Sequence, residues 1–239
     1  MLKFLDDVFL NWSYFSLWGI SFFYFLILYW GLGSLFLWTC KKLEDAGWAE
    51  RIENQPVAKE QVLWEQKYSF VSIIIFGFSI WPVAWLLRSG IASPAPDTFW
   101  TVFSGLILLN IWNEIHFFFV HKLMHVPFFM KNIHKIHHRS RIPTVWSVYS
   151  FHWLEALILS TVPAILILFF PIPLLALAMY PVNSILFNFA GHCNYRLAFL
   201  RSPQDGLATR HVIHHQKANH NFGFASDLLD KISIWKPNK

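Results

Sequence analysis

Long apolar stretches separated by short polar ones set the plan of this chain. Residues 12–38 carry no charge. As a helix they would reach about 40 Å, more than the roughly 30 Å hydrocarbon core of a bilayer, which predicts a tilted or projecting span. Trp12, Trp30 and Trp38, with Tyr14 and Tyr29, stand where interfacial anchors belong. Residues 41–67 are polar and charged. Pro56 is placed to open a helix at about Val57, and Val62, Leu63 and Trp64 predict a patch on the membrane surface before the second span. That span covers 68–87, with Pro82 as its expected kink. Residues 88–98 hold two prolines and read as a loop. The third span is 99–120, about 33 Å long, and its helix should run on to about Val126, where Pro127 stops it. Residues 154–170 and 172–189, joined by Phe-Pro-Ile-Pro, are each near the lower limit for a span. They predict a hairpin that enters and returns on one side.

The loop at 39–67 carries five Lys or Arg and the loop at 88–98 carries one. The excess of positive charge in cytoplasmic loops therefore places the first inside and the second outside. The third span then ends inside, and so does the hairpin. The expected architecture is an all-α integral membrane protein with about four transmembrane spans, the last two forming a short hairpin. One membrane domain covers 1–239, with a cytoplasmic helical cap built from 121–153 and 190–235.

Composition agrees. The chain is 55% hydrophobic and 14% charged, against about 45–50% and 25% in soluble domains. Its net charge of +5 flanks apolar spans and forms no extended stripe, which argues against nucleic acid as a partner. Cys40 and Cys193 lie beside different segments and offer no disulfide framework; Cys193 reads as a small buried residue rather than a soft ligand. No cleavable signal is evident, and the terminal Lys-Pro-Asn-Lys is no dilysine retrieval signal.

All twelve histidines lie between His116 and His220. HKLMH (His121, His125) puts two imidazoles on one helix face, one turn apart. HKIHH (His134, His137, His138) and HVIHH (His211, His214, His215) repeat the pattern, and His192 stands alone between them. A zinc site uses four protein ligands at most, so this many imidazoles imply two metals sharing a site. Iron suits that site best, because O₂ chemistry needs a redox change that zinc lacks. A lipid is the expected substrate, since spans around the site can deliver one laterally. The third span also carries Glu114, seven residues before His121. The rise of about 10.5 Å rules out a direct bond between them. Glu114 either orients a histidine from another segment or ties two helices together. Lys131, Lys135, Arg139 and Arg141 flank the second block. They are explained by lipid contact or by docking of an acidic electron donor.

Further residues accompany the histidines: Pro143-Thr144, Phe151-His152 with Glu155, Val182-Asn183, Gly191-His192 with Tyr195, and Asn221-Phe222-Gly223. Together they resemble the fatty acid hydroxylase/sterol desaturase superfamily over roughly 114–230, most of all its sterol C-5 desaturase branch. The resemblance implies a non-haem di-iron oxygenase that uses O₂ and two external electrons. Such an enzyme takes hydrogen from an unactivated C–H bond to leave an alcohol or, after a second abstraction, a double bond. It also implies that His121, His125, His134, His137, His138, His192, His211, His214 and His215 ligate two iron ions. Asn188 occupies a position where relatives hold a histidine or an asparagine acting through water; a helix-packing amide is the other reading. His152 and Glu155 resemble groups that support the ligands or line the substrate pocket. The pattern departs from the family at Leu229, where a tryptophan is usual, and in the missing Gly-Thr of the tail; Asp230 remains. With no cytochrome b5-like segment in the sequence, a separate donor of the cytochrome b5 or ferredoxin type is expected. The rival reading, a membrane metal transporter or a metal-binding protein without oxygenase activity, calls for ionisable groups in several spans; apart from Glu155 at the start of the hairpin, only the third carries a charge.

Overall fold

A computed structural model describes residues 2–199 and 206–233. The terminal Lys-Pro-Asn-Lys lies outside them. Among the described residues four helical stretches are long and apolar enough to cross a membrane: Tyr14–Asp45, Lys59–Arg88, Phe99–Met124 and Leu174–His192. The chain is a multi-pass helical membrane protein.

A short helix, α1 (Leu2–Asn11), precedes the first stretch. That stretch joins α2 (Tyr14–Leu26) to α3 (Gly33–Asp45) through a π-helical segment, Ile27–Leu32, and reaches seven residues past the expected end. The second joins α4 (Lys59–Gly77) to α5 (Ile80–Arg88). Its break falls at residues 78–79, at the carbonyl that Pro82, lacking an N–H, cannot engage. The patch at 62–64 is thus part of one long helix. Gly77 lets α2 and α4 close together: a Cβ there would sit 2.8 Å from the Trp18 indole nitrogen. Helix α6 (Phe99–Met124) starts at a Thr98–Thr101 capping box and ends at His125, before α7 (Pro127–Asn132).

The expected hairpin has unequal limbs. The outgoing one is broken into α8 (Trp153–Leu159) and α9 (Val162–Leu166), because Ser160 and Thr161 turn their hydroxyls onto carbonyls three residues back. Only the return limb, α10 (Leu174–His192), spans, with Asp97 accepting from the Leu175 N–H at its start. At Gly105, a Cβ would meet Pro173 and Ala176 at 3.1 and 3.2 Å, so α6 and α10 run in parallel, with His121 and His192 near their C-terminal ends.

Two three-residue strands, β1 (Ala49–Arg51) and β2 (Tyr195–Leu197), pair antiparallel. They are the one departure from an all-helical chain among the described residues. Around them the Tyr195 hydroxyl donates to Glu44, and the Asn194 side chain bonds both backbone groups of Glu53. This clamp fastens the segment after His192 to the end of the first span. The two cysteines are free, buried and in contact across the same joint.

Candidate metal centre

The nine histidines converge in two groups: His121, His125, His134, His138 and His214 in one, His137, His192, His211 and His215 in the other. Within each group the potential ligand atoms lie within 4.8 Å of one another. The groups abut, with the rings of His138 and His215 4.8 Å apart and those of His134 and His137 5.4 Å apart.

Helix α6 delivers His121 and His125 from its last turn, and α10 ends on His192. Helix α11 (Leu207–Lys217) presents His211, His214 and His215. The HKIHH block is wound as a 3₁₀ turn, His134–Arg139, rather than the expected α-helix. The tighter winding stacks positions three apart, and His134 and His137 have ring centres 5.4 Å apart.

Outer partners decide which nitrogen faces inward. His121 Nδ1 donates to the Phe222 carbonyl at 2.9 Å, His192 Nδ1 to the Asn188 carbonyl at 2.9 Å, and His214 Nδ1 to the His220 carbonyl at 2.7 Å. His134 Nδ1 donates to Glu155 Oε1 at 2.7 Å, with both side chains buried. A neutral imidazole that donates through Nδ1 has only a lone pair at Nε2. The inward Nε2 atoms crowd together: that of His192 lies 2.9 Å from that of His211, and that of His121 lies 3.3 Å from that of His125. His134 Nε2 is buried with no hydrogen-bond partner among the described residues. Burial, reinforced by neighbouring imidazoles, holds His125, His134, His137, His138, His211, His214 and His215 well below the ordinary imidazole range. Neutral and converging, these imidazoles fit two cations.

Glu114 touches no histidine. It accepts from the Ala225 and Ser226 N–H groups and the Ser226 hydroxyl, while Asp230 accepts from the N–H groups of Phe222 and Gly223. Both carboxylates grip the loop whose Phe222 carbonyl orients His121. Sequence spacing along α6 could not show this, because the partner is more than a hundred residues away. His152 lies in neither group: its Nδ1 accepts from the Leu154 N–H and caps α8. Asn188 acts on His192 through its carbonyl, and its side chain donates to Ser184. Cys193 belongs to neither group. Thr144, of the Pro-Thr pair, donates to the buried Glu65 at 2.5 Å, a partner the sequence did not single out.

A cavity of about 380 Å³ lies among the helices beneath the histidines. Phe117, Phe151, Phe224 and Asn188 line its inner end; Phe117 packs on His121 with ring centres 4.8 Å apart and Phe151 on His137 at 4.9 Å. No lining residue carries a charge.

The helices, the paired histidine groups and the apolar cavity define a membrane protein equipped to hold metal beside a lipid-sized space. The profile of the fatty acid hydroxylase family matches residues 106–233, more than half of the chain, and the chain belongs to that family. It is 33% identical over 120 residues to "Fatty acid hydroxylase domain-containing protein 2" of Macaca fascicularis, a match covering 49% of this chain and 34% of that protein. It is 23% identical over 187 residues to "Probable Delta(7)-sterol 5(6)-desaturase" of Neurospora crassa, 76% of this chain and 54% of that one. With "Delta(7)-sterol 5(6)-desaturase" of Leptosphaeria maculans the identity is 25% over 189 residues, 75% and 52% of the two chains. The chain thus spans from about a third to just over half of the length of these curated relatives. No solved structure matches it.

Proposed function

We propose that this protein is a membrane-bound di-iron oxygenase that hydroxylates or desaturates a lipid, using O₂ and electrons from a separate donor protein. The observation that carries this reading is the uncharged cavity, set among spanning helices and ending on Phe117 and Phe151, which pack against His121 and His137 of the two histidine groups. His121, His125, His134, His138 and His214 would hold one ion, and His137, His192, His211 and His215 the other. Iron held there supplies the redox change that O₂ chemistry needs. Relatives named as sterol desaturases and a fatty acid hydroxylase family profile support the reaction class.

The chain's own residues do the rest. Phe117, Phe151 and Phe224 keep water from the reacting end of the cavity, and the cavity walls present a C–H bond to the imidazole layer. Glu155, and the carbonyls of Phe222, Asn188 and His220, hold their histidines in the tautomer that points Nε2 inward. Lys131, Lys135, Arg139 and Arg141 are exposed on the outer side of the 3₁₀ turn, and they form a basic face for an acidic electron donor. The loop charges support a cytoplasmic position for this face.

Lipid profiling of cells with and without the gene tests the reading. A lipid gaining one oxygen or losing two hydrogens in the presence of the protein is expected. Identical profiles in cells that make the iron-loaded protein would overturn it.

A further inference from the structure

The cavity's polar groups are few, and most are spoken for. The Tyr24 hydroxyl donates to the Ala178 carbonyl at 2.8 Å, and Ser160 and Asn188 bond carbonyls of their own helices. Asn113 differs. Its Oδ1 accepts from the Tyr180 hydroxyl at 2.6 Å, and its amide nitrogen has no hydrogen-bond partner among the described residues. Asn110, on the same helix, bonds the carbonyl four residues back; Asn113 does not. Asn113 and Tyr180 are 7% and 8% exposed, and both line the cavity. The Tyr149 hydroxyl, also on the cavity, likewise has no hydrogen-bond partner among the described residues. Unused donors in an apolar enclosure are costly unless a ligand uses them.

We propose that Asn113, held in place by Tyr180, anchors an uncharged hydroxyl group of the lipid substrate inside the cavity, at a distance from the histidines. A hydroxyl can accept from the free Asn113 amide and donate to a tyrosine oxygen. A carboxylate or phosphate would need a cation, and the lining has none. The anchor lies roughly 12 Å along α6 from His121 and about 18 Å along α10 from His192. The C–H bond presented to the imidazoles is therefore remote from the hydroxyl. The orientation rests on the oxygenase reading; the anchor is a binding claim and stands apart from it.

Photolabelling of the iron-loaded protein in phosphatidylcholine nanodiscs by a diazirine-tagged oleyl alcohol tests the anchor without turnover. Oleyl alcohol should compete at least about tenfold better than oleate or oleyl methyl ether. Asn113→Leu should erase that preference while iron content is unchanged, and Tyr180→Phe, a smaller change, should weaken it. Equal competition by oleate, or a preference that survives in an iron-replete Asn113→Leu protein, overturns the anchor. Alcohol preference in a protein that yields no oxidised lipid leaves the anchor standing and counts against the oxygenase reading. Product with the new oxygen or double bond next to the hydroxyl overturns the proposed orientation.

Discussion

Glu155 accepts the Nδ1 proton of His134 at 2.7 Å, with both side chains buried. The bond fixes the ring so that Nε2 points at His121, His125 and His138. Removing such a partner costs about 10–100-fold in metal affinity. Glu155→Ala should therefore lower metal retention by that order while the protein still inserts in the membrane. Metal titration against a chelator measures it, and unchanged retention would show that His134 needs no orienting partner.

Gly223 sits where a Cβ would lie 2.0 Å from the Ser226 carbonyl and 3.2 Å from Glu114 Oε1. Gly223→Ala should push the loop off Glu114 and Asp230 and move the Phe222 carbonyl from His121. Metal content and thermal stability should fall together, although no ligand has been changed.

His125 and His137 belong to different groups. His137→Ala should abolish product and empty one group, leaving about one ion per chain. His125→Ala should do the same to the other. Retained turnover in either variant, assayed in membranes, would contradict the ligand assignment.

The pH dependence has a definite sign. Burial lowers the folded-state pKa of His134, His137, His138, His211, His214 and His215. Above about pH 6.5 both folded and unfolded imidazoles are neutral, so nothing is lost there. Below it the unfolded chain takes up protons that the folded one refuses, and stability falls. Protons also compete with bound ions. Metal occupancy should be flat above pH 7 and drop between roughly pH 6.5 and 5, as read by metal analysis after equilibration.

Charge reversal at Lys131, Lys135 and Arg141 should raise the KM for an acidic electron-donor protein about tenfold at low salt. The effect should fade as salt screens it, and turnover with a small chemical reductant should not change.

The spans and the histidine blocks were legible because hydropathy and helical spacing are local properties of the sequence. The nine histidines named from spacing and resemblance all meet in the structure. How they divide was not legible: His138 joins His121 and His214, while its neighbour His137 joins His192, and one residue's rotation along a 3₁₀ turn decides between them. Glu114 read as a helix tie or a histidine partner, and it grips a distant loop because its contacts depend on where the C-terminal segment returns. His152 has the spacing of a support residue, and in the structure its Nδ1 caps α8. The β1–β2 pair is three residues a side, too short to leave a period in the sequence. In the sequence Asn113 is simply a polar residue of the third span; its free amide is visible once the Tyr180 hydroxyl is seen to occupy its oxygen.

The central claim is that two iron ions are held by nine imidazoles. Metal analysis of protein prepared anaerobically from iron-replete cells tests it most directly. About two irons per chain is the predicted result, in keeping with the two groups of ligands. Copper or zinc alone, or a single ion per chain, from the same preparation would contradict it.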